Sequence, residues 1–192
     1  TVVLIDRPGC DQSVIVAGHI MTPKSDEREL AIQSMTFSFG GSFTSRVNMN
    51  LREDKAWSYG VRSVIIDTMR QRPFITYAPV QTNKTAASML ELDREFREIR
   101  TSRPISEEEV NTSKRQDTLR LPGRWETARA VMNDIAEIVR FGLPEDYWRG
   151  YADLVAAVDV AEVNAAARDL LAPDSLTWVV VGDLALIEAD IR

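Results

Sequence analysis

The chain has 192 residues, with 23 Lys and Arg against 29 Asp and Glu, one His and one Cys. That length fits one domain able to bury a core without disulfides or metal, and a composition of 44% hydrophobic and 27% charged residues excludes disordered, collagen-like and coiled-coil chains. A net charge of −6 and an isoelectric point near 4.9 argue against nucleic acid as the main partner, because phosphate binding needs a basic footprint.

In chain order, residues 1–6 predict a short strand ended by the turn Arg7-Pro8-Gly9. Gln12 to Met21 predicts a second strand, apolar on both alternating faces and therefore central in a sheet. Asp26 to about Phe39 predicts a helix with Ile32, Met35 and Phe39 on one face, stopped by Gly40-Gly41. A second helix is expected from near Ser42, with Phe43, Val47 and Leu51 on one stripe, dissolving in residues 52–55. Tyr59 to Asp67 and Phe74 to Gln81 predict two strands at hairpin spacing. Pro79 marks an edge or a bulge, because it cannot donate to the ladder.

Helices are expected over most of the remainder. Met89, Leu92, Phe96 and Ile99 form one stripe, and Ser106 with Glu109 forms a capping box that opens the next helix. Trp125 to Val139 follows, with Ala128, Val131, Met132, Ile135 and Val139 expected inward. After Gly142-Leu143-Pro144, a helix lined by Tyr147, Tyr151, Leu154 and Val158 is expected. Another starts at Asp159 and Glu162 and runs to Leu171, and Leu176 to Val181 closes as a strand. Hairpin-paired strands with intervening helices predict an α+β fold: a largely antiparallel sheet with helices packed against it, as one domain over residues 1–192. The absence of an initiator Met leads us to expect a fragment of a longer chain or a processed piece.

Most candidate chemistry reduces to structure. One His cannot build the H-x-x-E-H or H-E-x-x-H helices of zinc peptidases, which need two. His19 shares its strand face with Ile15, Ala17 and Met21 and reads as a structural histidine. Cys10 follows Pro8-Gly9 with no nearby base to activate it. Glu107, Glu108 and Glu109 suit a helix first turn. Arg94, Arg97 and Arg100 alternate with Glu91, Glu95 and Glu98 as a salt-bridged outer face. No apolar run reaches the roughly 18–20 residues of a membrane span.

Residues 40–63 do not reduce in this way. A helix ends in a polar stretch and a strand opens with Ser58-Tyr59-Gly60, which places Arg52 and Tyr59 on either side of the connection. Spacing alone does not bring them together. A guanidinium and a phenol aimed outward from a rigid corner would suit gripping a peptide carbonyl.

Leu51-Arg52, six residues and Tyr59 match a Leu-Arg-(six residues)-Tyr signature. With it the segment resembles the C-terminal half-domain of the insulinase, pitrilysin and processing-peptidase family, the inverted-motif zinc metallopeptidases. Gly40-Gly41 and Ser45-Arg46 resemble the preceding pattern. Asp6 to Gln12, Leu121 to Thr127, Gly142 to Tyr147 and Val180 to Asp183 resemble further family segments in the same order.

The resemblance implies a site split between two halves. Zinc would sit in a homologous domain or subunit carrying H-x-x-E-H, whose Glu is the general base, and none would be bound by this chain. Tyr59 would donate to the substrate carbonyl oxygen as charge develops there, and Arg52 would hold a neighbouring carbonyl. The expected partners are that zinc-bearing domain and a peptide substrate, and the chain alone would be inactive. The alternative within the family is a non-catalytic structural or peptide-presenting subunit. Outside it, a small α+β interaction module remains. The spacer Glu53 to Ser58 resembles versions in bacterial envelope-associated peptidases, which implies the periplasm, with the cytoplasm as the alternative.

Overall fold

The computed structural model describes residues 1–191. Among them five strands form one sheet: β1 (Val2–Asp6), β2 (Gln12–Met21), β3 (Arg62–Ile65), β4 (Arg72–Gln81) and β5 (Thr177–Gly182). Their spatial order is β1-β5-β2-β4-β3. β1 runs parallel to β5, and the β5–β2, β2–β4 and β4–β3 pairs are antiparallel. The helices are α1 (Glu29–Thr36), α2 (Arg46–Asn48), α3 (Thr85–Glu98), α4 (Glu107–Leu119), α5 (Ala128–Phe141), α6 (Tyr151–Ala157), α7 (Val160–Leu170) and α8 (Leu184–Ile191). The architecture is the expected α+β arrangement with α8 added, but of the two expected hairpins only β3–β4 forms: β1 and β2 do not pair, because β5 lies between them.

Side chains alternate across a strand, so the register assigns each residue to a face. Ile15, Ala17, Phe74, Ala78, Trp178 and Val180 are buried on the helix-covered side. Phe74, Phe39 of the segment after α1 and Phe96 of α3 lie 4.5–6.0 Å apart between ring centroids, and His19 stacks on Phe74 at 5.5 Å. The opposite side has no helix layer over much of its area. Val3, Ile5, Ile20, Val64 and Tyr77 are exposed there. β2 is central and apolar on both faces because it lies between β5 and β4 with this half-covered surface on one side. Pro79 lies past Tyr77, the last β4 residue paired with β3, so its missing N–H breaks no ladder bond.

Several helices follow their sequence signals. Ser106–Glu109 and Asp159–Glu162 both form reciprocal capping boxes. Leu92, Phe96 and Ile99 are buried, with Met89 packed beside them.

Five readings are corrected. First, α5 is turned over: Met132, Ile135 and Val139 are 62%, 56% and 77% exposed, and Val131 is also exposed. Its inward side carries charge instead. Asp134 accepts from Arg124 Nε and Nη2 and from Trp125 Nε1, each at 2.8 Å. Glu137 pairs with the buried Lys24 at 2.6 Å. Lys24 also reaches Asp67 at 2.6 Å. Burial opposes the Lys24 charge, but hydrogen bonds to Asp67 and Glu137 hold its ammonium above the ordinary lysine range.

Second, the helix expected after Pro144 begins only at Tyr151. Tyr147 and Trp148 pack tilted against the Tyr151 ring from the preceding turn, and Leu154 is exposed. Third, Phe43 is 58% exposed and outside the core, because α2 starts at Arg46. Fourth, the strand expected from Tyr59 starts at Arg62 and ends at Ile65, leaving Tyr59 in the bend before it. Fifth, Glu95 faces inward, where it accepts from Asn50 Nδ2 at 2.8 Å and Arg103 Nη1 at 3.2 Å.

Candidate functional site

Two wide helical turns build the corner that carries Arg52. α1 does not stop at Gly40-Gly41 but continues as a π-helical segment, Phe37–Gly41. α2 likewise widens into a second one, Met49–Asp54, which contains Arg52. Such turns are rare and recur at functional sites. The first one presses on β3: a Cβ at Gly40 would stand 2.6 Å from the Ser63 backbone nitrogen and 2.3 Å from its Oγ. Gly40→Ala is therefore expected to force the segment off the sheet and cost about 1–3 kcal/mol. A urea titration reads this as a lowered midpoint. An unchanged midpoint would mean that the contact yields without cost.

Buried neighbours fix the second segment. Val47 and Leu51 anchor it in the core. Asn48 donates from Nδ2 to the Phe43 carbonyl at 2.6 Å and accepts the Val61 N–H on Oδ1 at 2.9 Å. One buried amide thus joins the chain before Arg52 to the chain after Tyr59. Asn50 ties the segment to α3, donating from Nδ2 to Glu91 at 2.9 Å and Glu95 at 2.8 Å. The reversal runs through Ala56 in the left-handed region at φ 54°. Beyond it, Trp57 N–H donates to the Leu51 carbonyl at 2.9 Å, and the Ser58 hydroxyl donates to the Pro79 carbonyl.

Arg52 and Tyr59 both face outward from this frame. The Arg52 guanidinium lies 4.5 Å from the Phe43 ring centroid, and its Nε is 3.2 Å from Glu53 Oε1. Tyr59 is 87% exposed, and its hydroxyl has no intramolecular partner among the described residues. The two residues line one cleft of about 540 Å³, together with Gly40, Gly41, Ser42, Phe43, Gly60, Arg62 and Tyr77. They also share a smaller depression of about 380 Å³ with Gln12, Trp57 and Gln81. The sequence offered Arg52 and Tyr59 as candidates but did not single out Asn48 and Asn50, which hold the segment around them. The available signal for Asn48 was an Asn inside a helical stripe, a residue that disfavours helix interiors unless its side chain bonds elsewhere.

The other candidates lie apart from this corner. His19 is buried, its Nδ1 lies 3.2 Å from the Ile20 carbonyl, and burial pushes its imidazole below the ordinary histidine range. Cys10 is half-buried in the turn after β1. Glu109 caps α4 and pairs with Arg46 at 2.7 Å. Burial works to raise its carboxyl, but the Arg46 and Ser106 hydrogen bonds hold it below the usual range. No group of three or more His, Cys, Asp or Glu is placed to hold a metal among the described residues.

A family model described as the peptidase M16 inactive domain matches residues 1–116, and the chain belongs to that family. Solved structures extend the likeness over most of the fold. A peptidase M16 inactive domain from Pseudomonas fluorescens is 20% identical with a TM-score of 0.84, covering 94% of this chain and 43% of that one. A protease from Helicobacter pylori is 13% identical with a TM-score of 0.83, covering 94% and 43%. The periplasmic protease PqqL from Escherichia coli is 14% identical with a TM-score of 0.77, covering 93% and 20%. The chain thus spans less than half the length of these solved relatives. No curated protein sequence gives a significant match. No described helix is long and apolar enough to cross a membrane.

Proposed function

We propose that this chain is the substrate-gripping, transition-state-stabilising half of a zinc-dependent metalloendopeptidase, completed by a homologous zinc-bearing domain or subunit. The observation that carries the reading is the pairing of Arg52 and Tyr59 on one outward cleft, with the Tyr59 hydroxyl unspent among the described residues. A phenol donates one hydrogen bond, suited to a carbonyl oxygen gaining negative charge. Arg52 offers a fixed fork of donors for a neighbouring peptide carbonyl. Phe43 beneath it restricts the guanidinium without consuming its N–H groups. Zinc and the general base would come from the counterpart. The likeness to a periplasmic protease supports the periplasm as the compartment.

A second reading, a non-catalytic structural or peptide-presenting subunit, draws on the family model's description as an inactive domain. Metal analysis and a fluorogenic peptide assay separate the two. The purified chain alone is expected to hold no stoichiometric zinc and to cleave nothing. Adding its zinc-bearing counterpart is expected to give chelator-sensitive turnover that depends on Arg52 and Tyr59. Turnover by this chain alone would overturn the split site. Turnover indifferent to both residues would leave the scaffold reading.

A further inference from the structure

The same cleft has a charge that the Arg52/Tyr59 pair does not explain. Its lining includes two guanidiniums, Arg52 and Arg62, and no Asp or Glu. That is a positive hollow in a chain of net charge −6. Arg52 is answered in part by Glu53. Arg62 is exposed and has no acceptor among the described residues.

The backbone aims Arg62 into this position. Arg62 opens β3 and sits opposite Tyr77 of β4, while the next pair, Ser63 and Thr76, turns to the helix side and shares a 2.7 Å hydroxyl contact. Alternation therefore puts the Arg62 and Tyr77 side chains together on the open side of the sheet. Phe43 and Tyr77 are exposed aromatic members of the same lining. A guanidinium beside aromatic surfaces fits a short aliphatic stem ending in a carboxylate: the head takes two parallel N–H bonds and the stem covers ring surface.

We propose that Arg62, opposite Tyr77 across the β3–β4 pair and sharing the cleft with Phe43, is a specificity-determining residue that selects a Glu or Asp side chain of the peptide near the carbonyl held by Arg52 and Tyr59. The substrate class is then peptides acidic close to the gripped bond. This rests on the peptide-gripping reading above and adds its charge preference. Arg62 acts on binding and contributes no donor to the developing oxyanion, so it is separable from Tyr59.

The test is an anisotropy titration of the purified chain with labelled nine-residue peptides, alike except for one central Glu, Gln or Lys. The Glu peptide is expected to bind roughly five- to tenfold more tightly than the Gln peptide, the scale of a charge-assisted contact at a partly exposed site. Arg62→Ala should bring that ratio to about one, and Arg62→Glu should favour Lys, both with unchanged urea midpoints. Tyr59→Phe should leave the Glu/Gln ratio intact. Binding without a Glu preference, or a preference that survives Arg62→Ala, overturns this proposal alone. No binding of any peptide overturns the gripping reading and this proposal with it.

Discussion

Tyr59→Phe is expected to lower kcat of the assembled peptidase by roughly 10²–10³, or about 2.7–4 kcal/mol of barrier, the scale for one oxyanion donor. The substitution removes only a hydroxyl that makes no bond to the described residues, from a side chain that is 87% exposed. Folding should therefore be untouched, and a melting curve should superimpose on that of the wild type. A donor used only as the carbonyl oxygen gains charge lowers kcat and kcat/KM together. Arg52→Ala should behave differently. A guanidinium that holds the peptide before reaction contributes to ground-state binding, so KM should rise as well. Steady-state kinetics of both variants with the zinc-bearing counterpart present decide the matter. Near-wild-type kcat for Tyr59→Phe would remove the oxyanion role and leave the scaffold reading.

Phe74→Ala is expected to destabilise the domain by about 3–5 kcal/mol, the range for deleting a buried aromatic. The ring is fully buried and has three ring neighbours: His19 stacked at 5.5 Å, Phe39 at 5.8 Å and Phe96 at 6.0 Å. These come from β2, the π-helical segment after α1, and α3, so no single element can collapse to fill the void. At about 2–4 °C per kcal/mol for a domain of this size, calorimetry should show a clear fall in Tm. A loss below about 1 kcal/mol would mean that the three neighbours repack, against the usual behaviour of close-packed interiors.

What the sequence discloses depends on whether the deciding contact is local. β2 is legible because an apolar, β-branched run of strand length lies between turn residues, and α3 because its apolar stripe repeats at helical spacing. The capping boxes are legible because both partners lie within one turn. α5 shows the limit. Periodicity reveals that Met132, Ile135 and Val139 share a side, but their direction depends on Lys24, Arg124 and Trp125 meeting the other side. Two of those partners lie outside the helical period, and one is more than a hundred residues away. The candidate site is legible as a pair of residue types at a spacing. Its geometry is not, because the wide turns at Phe37–Gly41 and Met49–Asp54 place Gly40 against Ser63 and Arg52 over Phe43 by tertiary packing. The exposed partnership of Arg62 and Tyr77 follows from β3–β4 register, which no local pattern specifies.

The strand order has a consequence for how the chain assembles in time. β1 and β2 are neighbours in sequence, yet β5 lies between them, with Val3 opposite Val179 and Val16 on the other side of the same residue. During synthesis the β3–β4 hairpin, and β2 paired to it across the segment between Met21 and Arg72, can form as soon as residue 81 is free. β1 has no partner until the segment 177–182 emerges, some 170 residues later. Closing so long a loop is slow compared with local pairing. Both flanks of β5 form in that one insertion, which joins the first and last strands of the sheet. A chain cut short before Thr177 therefore loses two strands rather than one, and exposes the β2 edge together with the apolar residues of β1.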